Sequence, residues 1–175
     1  MIKNRIGILA IVLFYATCVS GEQRDRSTPA IDIPFHVASA HSLQKVRREK
    51  DNLAWNNLQN HSVISLELAR EESESFQLVV IPNERPLQSV EVSISPLKNP
   101  SGRQLELRWH RVGYVKSGKP AEYEPAYVGW WPDPLMPPQS FPLVANQIQP
   151  LWFTVDASRQ TESGVYHGDI LIRTA

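Results

Sequence analysis

Residues 127–138 read Tyr-Val-Gly-Trp-Trp-Pro-Asp-Pro-Leu-Met-Pro-Pro. Four of the seven residues from Pro132 to Pro138 are proline, so this segment is neither a helix nor a central strand. Proline removes a backbone donor, fixes φ and pushes the residue before it towards extended geometry. The pattern predicts a stiff, non-regular loop carrying Trp130 and Trp131. Such a loop is either a packing wedge against another domain or a stacking platform for a ligand.

The chain has 175 residues, and its start has the layout of an export leader. Lys3 and Arg5 form a positive beginning, residues 6–15 are apolar, and small residues follow. Ten apolar residues are too few to span a bilayer comfortably. Residues 1–20 are therefore read as a signal peptide, cleaved near Cys18-Val-Ser20 or Val19-Ser-Gly21, with residues 21–34 as a polar linker. The expected location is secreted, periplasmic or at the cell surface. Cys18 is the one cysteine. It would leave with the leader or, in a lipoprotein, carry the lipid, although Tyr15-Ala-Thr-Cys18 lacks the small residue wanted just before it. Either way the exported domain has no thiol to spend on disulfides, thiolate metal sites or a nucleophile.

Charge narrows the classes further. Eighteen basic residues balance eighteen acidic ones, and removing Lys3 and Arg5 leaves sixteen against eighteen. No basic face is apparent, and Lys45-Val-Arg-Arg48 is a short isolated cluster. Nucleic acid and anionic membrane surfaces are poor partners for such a chain.

Period-two apolar alternation dominates the remainder of the chain. Ile64, Leu66 and Leu68 share a face, as do Val90, Val92 and Ile94, and Leu105, Leu107 and Trp109. Residues 75–81, 151–155 and 165–173 are further apolar runs. Turn chemistry separates them at residues 83–86, 98–102 and 161–164, where Gly164 is placed to take a positive φ. Ser42 to Arg48 suggests a helical turn or two. The expectation is an all-β domain over residues 35–175: an antiparallel two-sheet β-sandwich, immunoglobulin-like, with a Pro/Trp-rich loop. Trp109 is expected in its core.

Chemistry-bearing motifs are scarce. Glu71, Glu72 and Glu74 are dense enough for acid/base work or calcium. They lie between two strands without a nearby His, and read as a solvated turn in which one Glu fixes the backbone. His36, His41, His61, His110 and His167 are scattered without metal-ligand spacing. There is no Gly-x-Ser-x-Gly elbow and no glycine-rich phosphate loop. No cofactor, metal or catalytic residue is expected. Tyr127, Trp130, Trp131 and Asp133 remain as candidate ligand-binding or docking residues, with Tyr123 nearby. Indoles stack on sugar C–H faces, a carboxylate accepts hydroxyl hydrogen bonds, and a stiff loop lowers the ordering penalty of binding. The same indoles would serve equally as packing wedges.

Three segments together resemble a known family: residues 64–80, then Val112-Gly-Tyr-Val115 with Val128-Gly-Trp-Trp-Pro-Asp-Pro-Leu135, then residues 149–155 followed by Gly164-Val-Tyr-His-Gly-Asp-Ile170. They resemble the N-terminal β-sandwich domain of secreted family-123-like glycoside hydrolases. The likeness spans residues 35–174, and the aromatic segment is its most specific part. In that family the sandwich precedes a (β/α)8 barrel bearing an adjacent Asp-Glu pair. The Glu is the general acid/base, and the Asp orients the substrate's own N-acetyl group for attack. This chain contains no Asp-Glu dipeptide, so the pair has no position to be carried onto. The resemblance implies a non-catalytic accessory domain, or a truncated product of a longer gene. The relatives' enzymes act on N-acetylhexosamine-containing glycans, with the barrel as partner in cis. A stand-alone carbohydrate-binding module or a structural cell-surface module is the alternative.

Overall fold

The computed structural model describes residues 8–18, 33–49 and 63–174. They form eleven strands and two layers. The first sheet runs β3 (Val63–Leu68), β1 (Ile8–Cys18), β11 (Gly164–Thr174), β5 (Leu87–Ile94), β9 (Phe141–Leu143). The second runs β2 (Phe35–His41), β4 (Glu72–Pro82), β10 (Gln149–Ala157), β7 (Gln104–Lys116), β8 (Trp130–Met136). The short β6 (Leu97–Lys98) joins the layers by pairing with both β7 and β11. Every pairing is antiparallel except that of β1 with β11.

Period two builds the core. Phe76, Leu78 and Val80 of β4 share a face with Leu151, Phe153 and Val155 of β10, and all six are buried. Opposite them lie Tyr166, Ile170 and Ile172 of β11. Phe76 and Phe153 stack with ring centroids 5.2 Å apart and planes 12° from parallel. Burying a side chain of this size contributes roughly 1.5–3 kcal/mol. Trp109 packs against this core, as its alternation predicts. Gly164 opens β11 at φ 152°, also as expected. Between β3 and β4, Glu71 adopts φ 61° and the Glu72 carboxylate accepts the Ala69 N–H, so the acidic cluster fixes a turn.

The second sheet is covered on its outer face too, which alternation did not show. Val79 and Ile81 of β4 join Ala38 and Ala40 of β2 in a separate buried cluster, closed over by Val46 and Ile148. Val46 belongs to a strap, residues 42–49, laid across the sheet. The expected helical turn or two is reduced to one hydrogen-bonded turn, Gln44 N–H to the His41 carbonyl at 3.1 Å, and the rest of the strap is held by groups outside it. Gln77, only 2% exposed, donates from Nε2 to the carbonyls of His41 (3.0 Å) and Gln44 (2.9 Å). The Tyr114 hydroxyl donates to the Val46 carbonyl at 3.2 Å, and the Ile148 N–H donates to that of Arg48 at 2.9 Å.

Residues 6–15, read above as the apolar stretch of a leader, overlap β1. In the full-length chain β1 pairs with both β11 and β3. The expected linker, residues 21–34, falls mostly outside the described residues. So do His61 and residues 50–60.

Lower on the outer face, Ser73 and Arg108 both hold Asp156. The Ser73 hydroxyl first of all keeps the Asp156 carboxyl below its ordinary range; burial opposes it, and the Arg108 guanidinium's hydrogen bond and charge add to the lowering. A depressed folded-state value stabilises the fold above the unfolded carboxyl range and is lost as the pH falls through it. The Asp156 side chain is 35% exposed, so screening limits the contribution to about 1 kcal/mol or less. Asp156→Asn should flatten the stability–pH curve below about pH 4, read by urea unfolding across pH. Gln77→Leu removes the bonds to the His41 and Gln44 carbonyls and should destabilise by about 1–3 kcal/mol. Amide exchange over residues 42–49 should then rise well before the core strands open.

Candidate functional site: an arginine-capped aromatic cluster

Trp130 and Trp131 lie on β8, the terminal strand of the second sheet, rather than on a loop. Trp131 pairs with Val115 and Trp130 with Lys116. Prolines 132 and 134 fit because, among the described residues, β8 has a ladder partner on one side only. Pairing with β7 and the prolines both restrict this segment's backbone. The register slips between Val112 and Tyr114, a β-bulge beside Gly113.

The connection from β7 to β8, residues 117–129, is clamped at its base. The Ser117 N–H and hydroxyl both reach the Gly129 carbonyl, and the Gly129 N–H returns to Ser117 Oγ at 3.1 Å. Gly129 has φ 156°, and a Cβ built there would lie 2.2 Å from the Tyr127 hydroxyl oxygen. No side chain fits, so the glycine lets that hydroxyl tuck beneath the chain. The Tyr127 hydroxyl accepts the Trp130 N–H (3.2 Å) and donates to the Glu49 carboxylate (3.2 Å). Its ring meets Trp131 edge to face, centroids 5.3 Å apart at 75°.

The strap completes the site. The Arg47 guanidinium sits 3.8 Å above the Tyr127 ring centroid and 5.7 Å from that of Trp131. The Arg48 guanidinium sits 4.2 Å above Trp130. Its Nε is buried and has no hydrogen-bond partner among the described residues, so the indole face is its principal company. Cation–π contacts of this kind contribute about 0.5–2 kcal/mol each, more as water is excluded. Beneath them, burial and then the Glu49 charge push the Tyr114 phenol up, with Arg48 opposing, so Tyr114 stays a neutral donor to the strap.

Of the residues singled out from sequence, Tyr127, Trp130 and Trp131 come together, each half-buried. Asp133 is exposed on β8 and takes no part in these contacts, and Tyr123 is 66% exposed. Arg47, Arg48, Glu49 and Tyr114 were missed as site residues. The one available signal was an Arg-Arg dipeptide, and it stands some eighty positions from the Trp pair. Val115, Val128 and Leu135 on the same hairpin are 51%, 44% and 47% exposed, so apolar surface gathers around the cluster. Chemically it offers aromatic edges, two cations fixed in place and an apolar rim. That suits recognition of a surface. Among the described residues no group of three His, Cys, Asp or Glu could hold a metal, and no helix is long and apolar enough to cross a membrane.

Gly129→Ala should destabilise by about 1–3 kcal/mol through backbone strain and displacement of Tyr127. Arg48→Ala should red-shift tryptophan emission and lower the unfolding midpoint slightly while leaving the far-UV spectrum unchanged.

Comparison with known proteins places the chain. The glycoside hydrolase 123 N-terminal domain family matches residues 44–174. Among solved structures, thirteen chains match. One is a family 123 glycoside hydrolase from Clostridium perfringens, described for glycolipid glycan hydrolysis. It superposes with a TM-score of 0.60 at 17% identity, over 81% of this chain and 25% of that one. At that identity the likeness speaks for the fold alone, and the chain spans about a quarter of that protein's length. No curated protein matches. The match from strap to last strand takes in both halves of the aromatic–arginine cluster, and the chain belongs to the glycoside hydrolase 123 N-terminal domain family.

Proposed function

We propose that this domain is the non-catalytic N-terminal sandwich of an exported glycoside hydrolase acting on N-acetylhexosamine-containing glycans, and that it buttresses a catalytic barrel through the aromatic–arginine cluster. The carrying observation is the cluster's construction. Tyr127 and Trp130 each have a ring face occupied by a guanidinium, while Val115, Val128 and Leu135 stay exposed beside them. A sugar platform needs an open ring face. A docking surface needs pre-ordered side chains and apolar area, and Trp, Tyr and Arg are the types that anchor interfaces. The family membership supports the same reading, since the Clostridium perfringens protein extends well beyond the matched quarter. Export is proposed from the leader layout of residues 1–20.

The test pairs the full chain with a family 123 catalytic barrel supplied as a separate polypeptide. The chain alone should release no sugar from an aryl N-acetylhexosaminide. The barrel should bind it, and Trp131→Ala or Leu135→Asp should weaken binding at least tenfold without unfolding the sandwich. Binding to N-acetylhexosamine oligosaccharides in the barrel's absence, lost on Trp131→Ala, would instead favour a stand-alone carbohydrate-binding module. Here the uncapped ring surface of the half-buried Trp131 would be the contact.

A further inference from the structure

We infer that the leader strand β1 is a spacer, and that in the exported domain β3 moves sideways into its place and pairs antiparallel with β11. The inference rests on the export reading above.

Four observations carry it. First, among the described residues β3 pairs in its sheet with β1 alone, by six residue pairs from Ile8↔Leu68 to Leu13↔Val63. Removing β1 would strip β3 of its ladder and open the edge of β11 from Gly164 onward. Unpaired backbone donors and acceptors under an apolar core are costly.

Second, direction and register already agree. β1 is parallel to β11 and antiparallel to β3, so β3 runs antiparallel to β11. Read across β1, Leu68 stands level with Gly164, Leu66 with Tyr166 and Ile64 with Gly168. Ile64, Leu66 and Leu68 pack into the same core as Tyr166. A one-residue slip would turn every side chain of β3 to the wrong face. A sideways step of about one strand spacing, roughly 4.8 Å, needs no slip.

Third, β3 is tethered at the end where closure begins. In the turn after it, Arg70 Nε donates to the Thr161 carbonyl at 2.9 Å, three residues before β11 starts. Closure is then a lateral shift of β3 led by its Leu68 end, with the following turn already anchored beside the start of β11.

Fourth, the present burial is incomplete. Ile64 and Leu66, on the core face of the strand, are only half-buried. Bringing the strand against β11 covers more of its apolar face.

The experiment uses the full chain carrying Cys18→Ser with Glu67→Cys and Val165→Cys, both exposed and level with each other across Leu9. Two strand spacings put these positions roughly 9–10 Å apart in the uncleaved chain, beyond the reach of a disulfide at about 7 Å. The chain is made in a membrane-free translation system, which retains the leader, and in an exporting host. N-terminal sequencing of each product shows whether the leader is present. A disulfide formed under mild oxidation in most of the processed chain, and in little of the leader-bearing chain, is the expected result. Ser65→Cys with His167→Cys gives a second pair on the same exposed face, should the first disturb folding. Hydrogen exchange on the chain without added cysteines supplies the matching readout, with residues 63–68 and 164–169 protected after processing.

A processed chain whose thiols stay free and whose β3 amides exchange quickly would overturn the closure and leave the export reading standing. Equal crosslinking in the leader-bearing chain would overturn it as well, since β1 would then not hold the strands apart. An exported product that still carries residues 1–20 would sink the export reading itself, and the inference with it.

Discussion

Everything distinctive about this domain depends on the covering of the second sheet's outer face by a strap that has no regular structure of its own. A chain segment without internal hydrogen bonds must be held by something else. Gln77 supplies two of those bonds from the middle of β4, and Tyr114 supplies another from β7. Val46 then fills the apolar hollow left by Ala38 and Ala40. The small side chains of β2 are what let the strap lie close. Once it does, Arg47 and Arg48 arrive over the aromatic rings with little freedom left to lose.

The candidate site is therefore a joint product of two segments far apart in sequence. The hairpin provides rings, ordered by the Ser117–Gly129 clamp and the Tyr127 hydroxyl. The strap provides cations and the Glu49 carboxylate. Neither half would hold this arrangement alone. The Tyr127 hydroxyl needs the glycine at 129 to fit, and the Arg48 guanidinium, whose Nε has no hydrogen-bond partner among the described residues, lies over the Trp130 face.

Much of the sandwich was legible from residue order, because half-buried antiparallel strands print period two directly. β3, β5, β7 and the closing β11 were all visible that way. β2 was not: it carries Phe35 and Val37 on one face and Ala38 and Ala40 on the other and lies under the strap, so it shows no polar alternation. β6 and β9 are too short to leave a pattern. β8 was read as a loop because proline was weighed against a central strand and not for a terminal one. Among the site residues the aromatics were legible by type, but not the guanidiniums that cap them. Their pairing is a fact of tertiary structure, set by a strap whose own sequence favours nothing in particular. The resemblance supplied the family, which alternation alone could not.

The prolines of β8 have one more effect. Backbone N–H groups two residues apart on a strand point the same way. Positions 132 and 134 therefore leave a gap in the row of donors that β8 turns away from β7. A neighbouring chain cannot zip onto this border by extending the sheet, because it would find bare ring carbons where it needs protons. Any protein that meets the domain here must recognise it through its side chains, so association at this border depends on shape and charge and resists the promiscuous growth open to a bare strand.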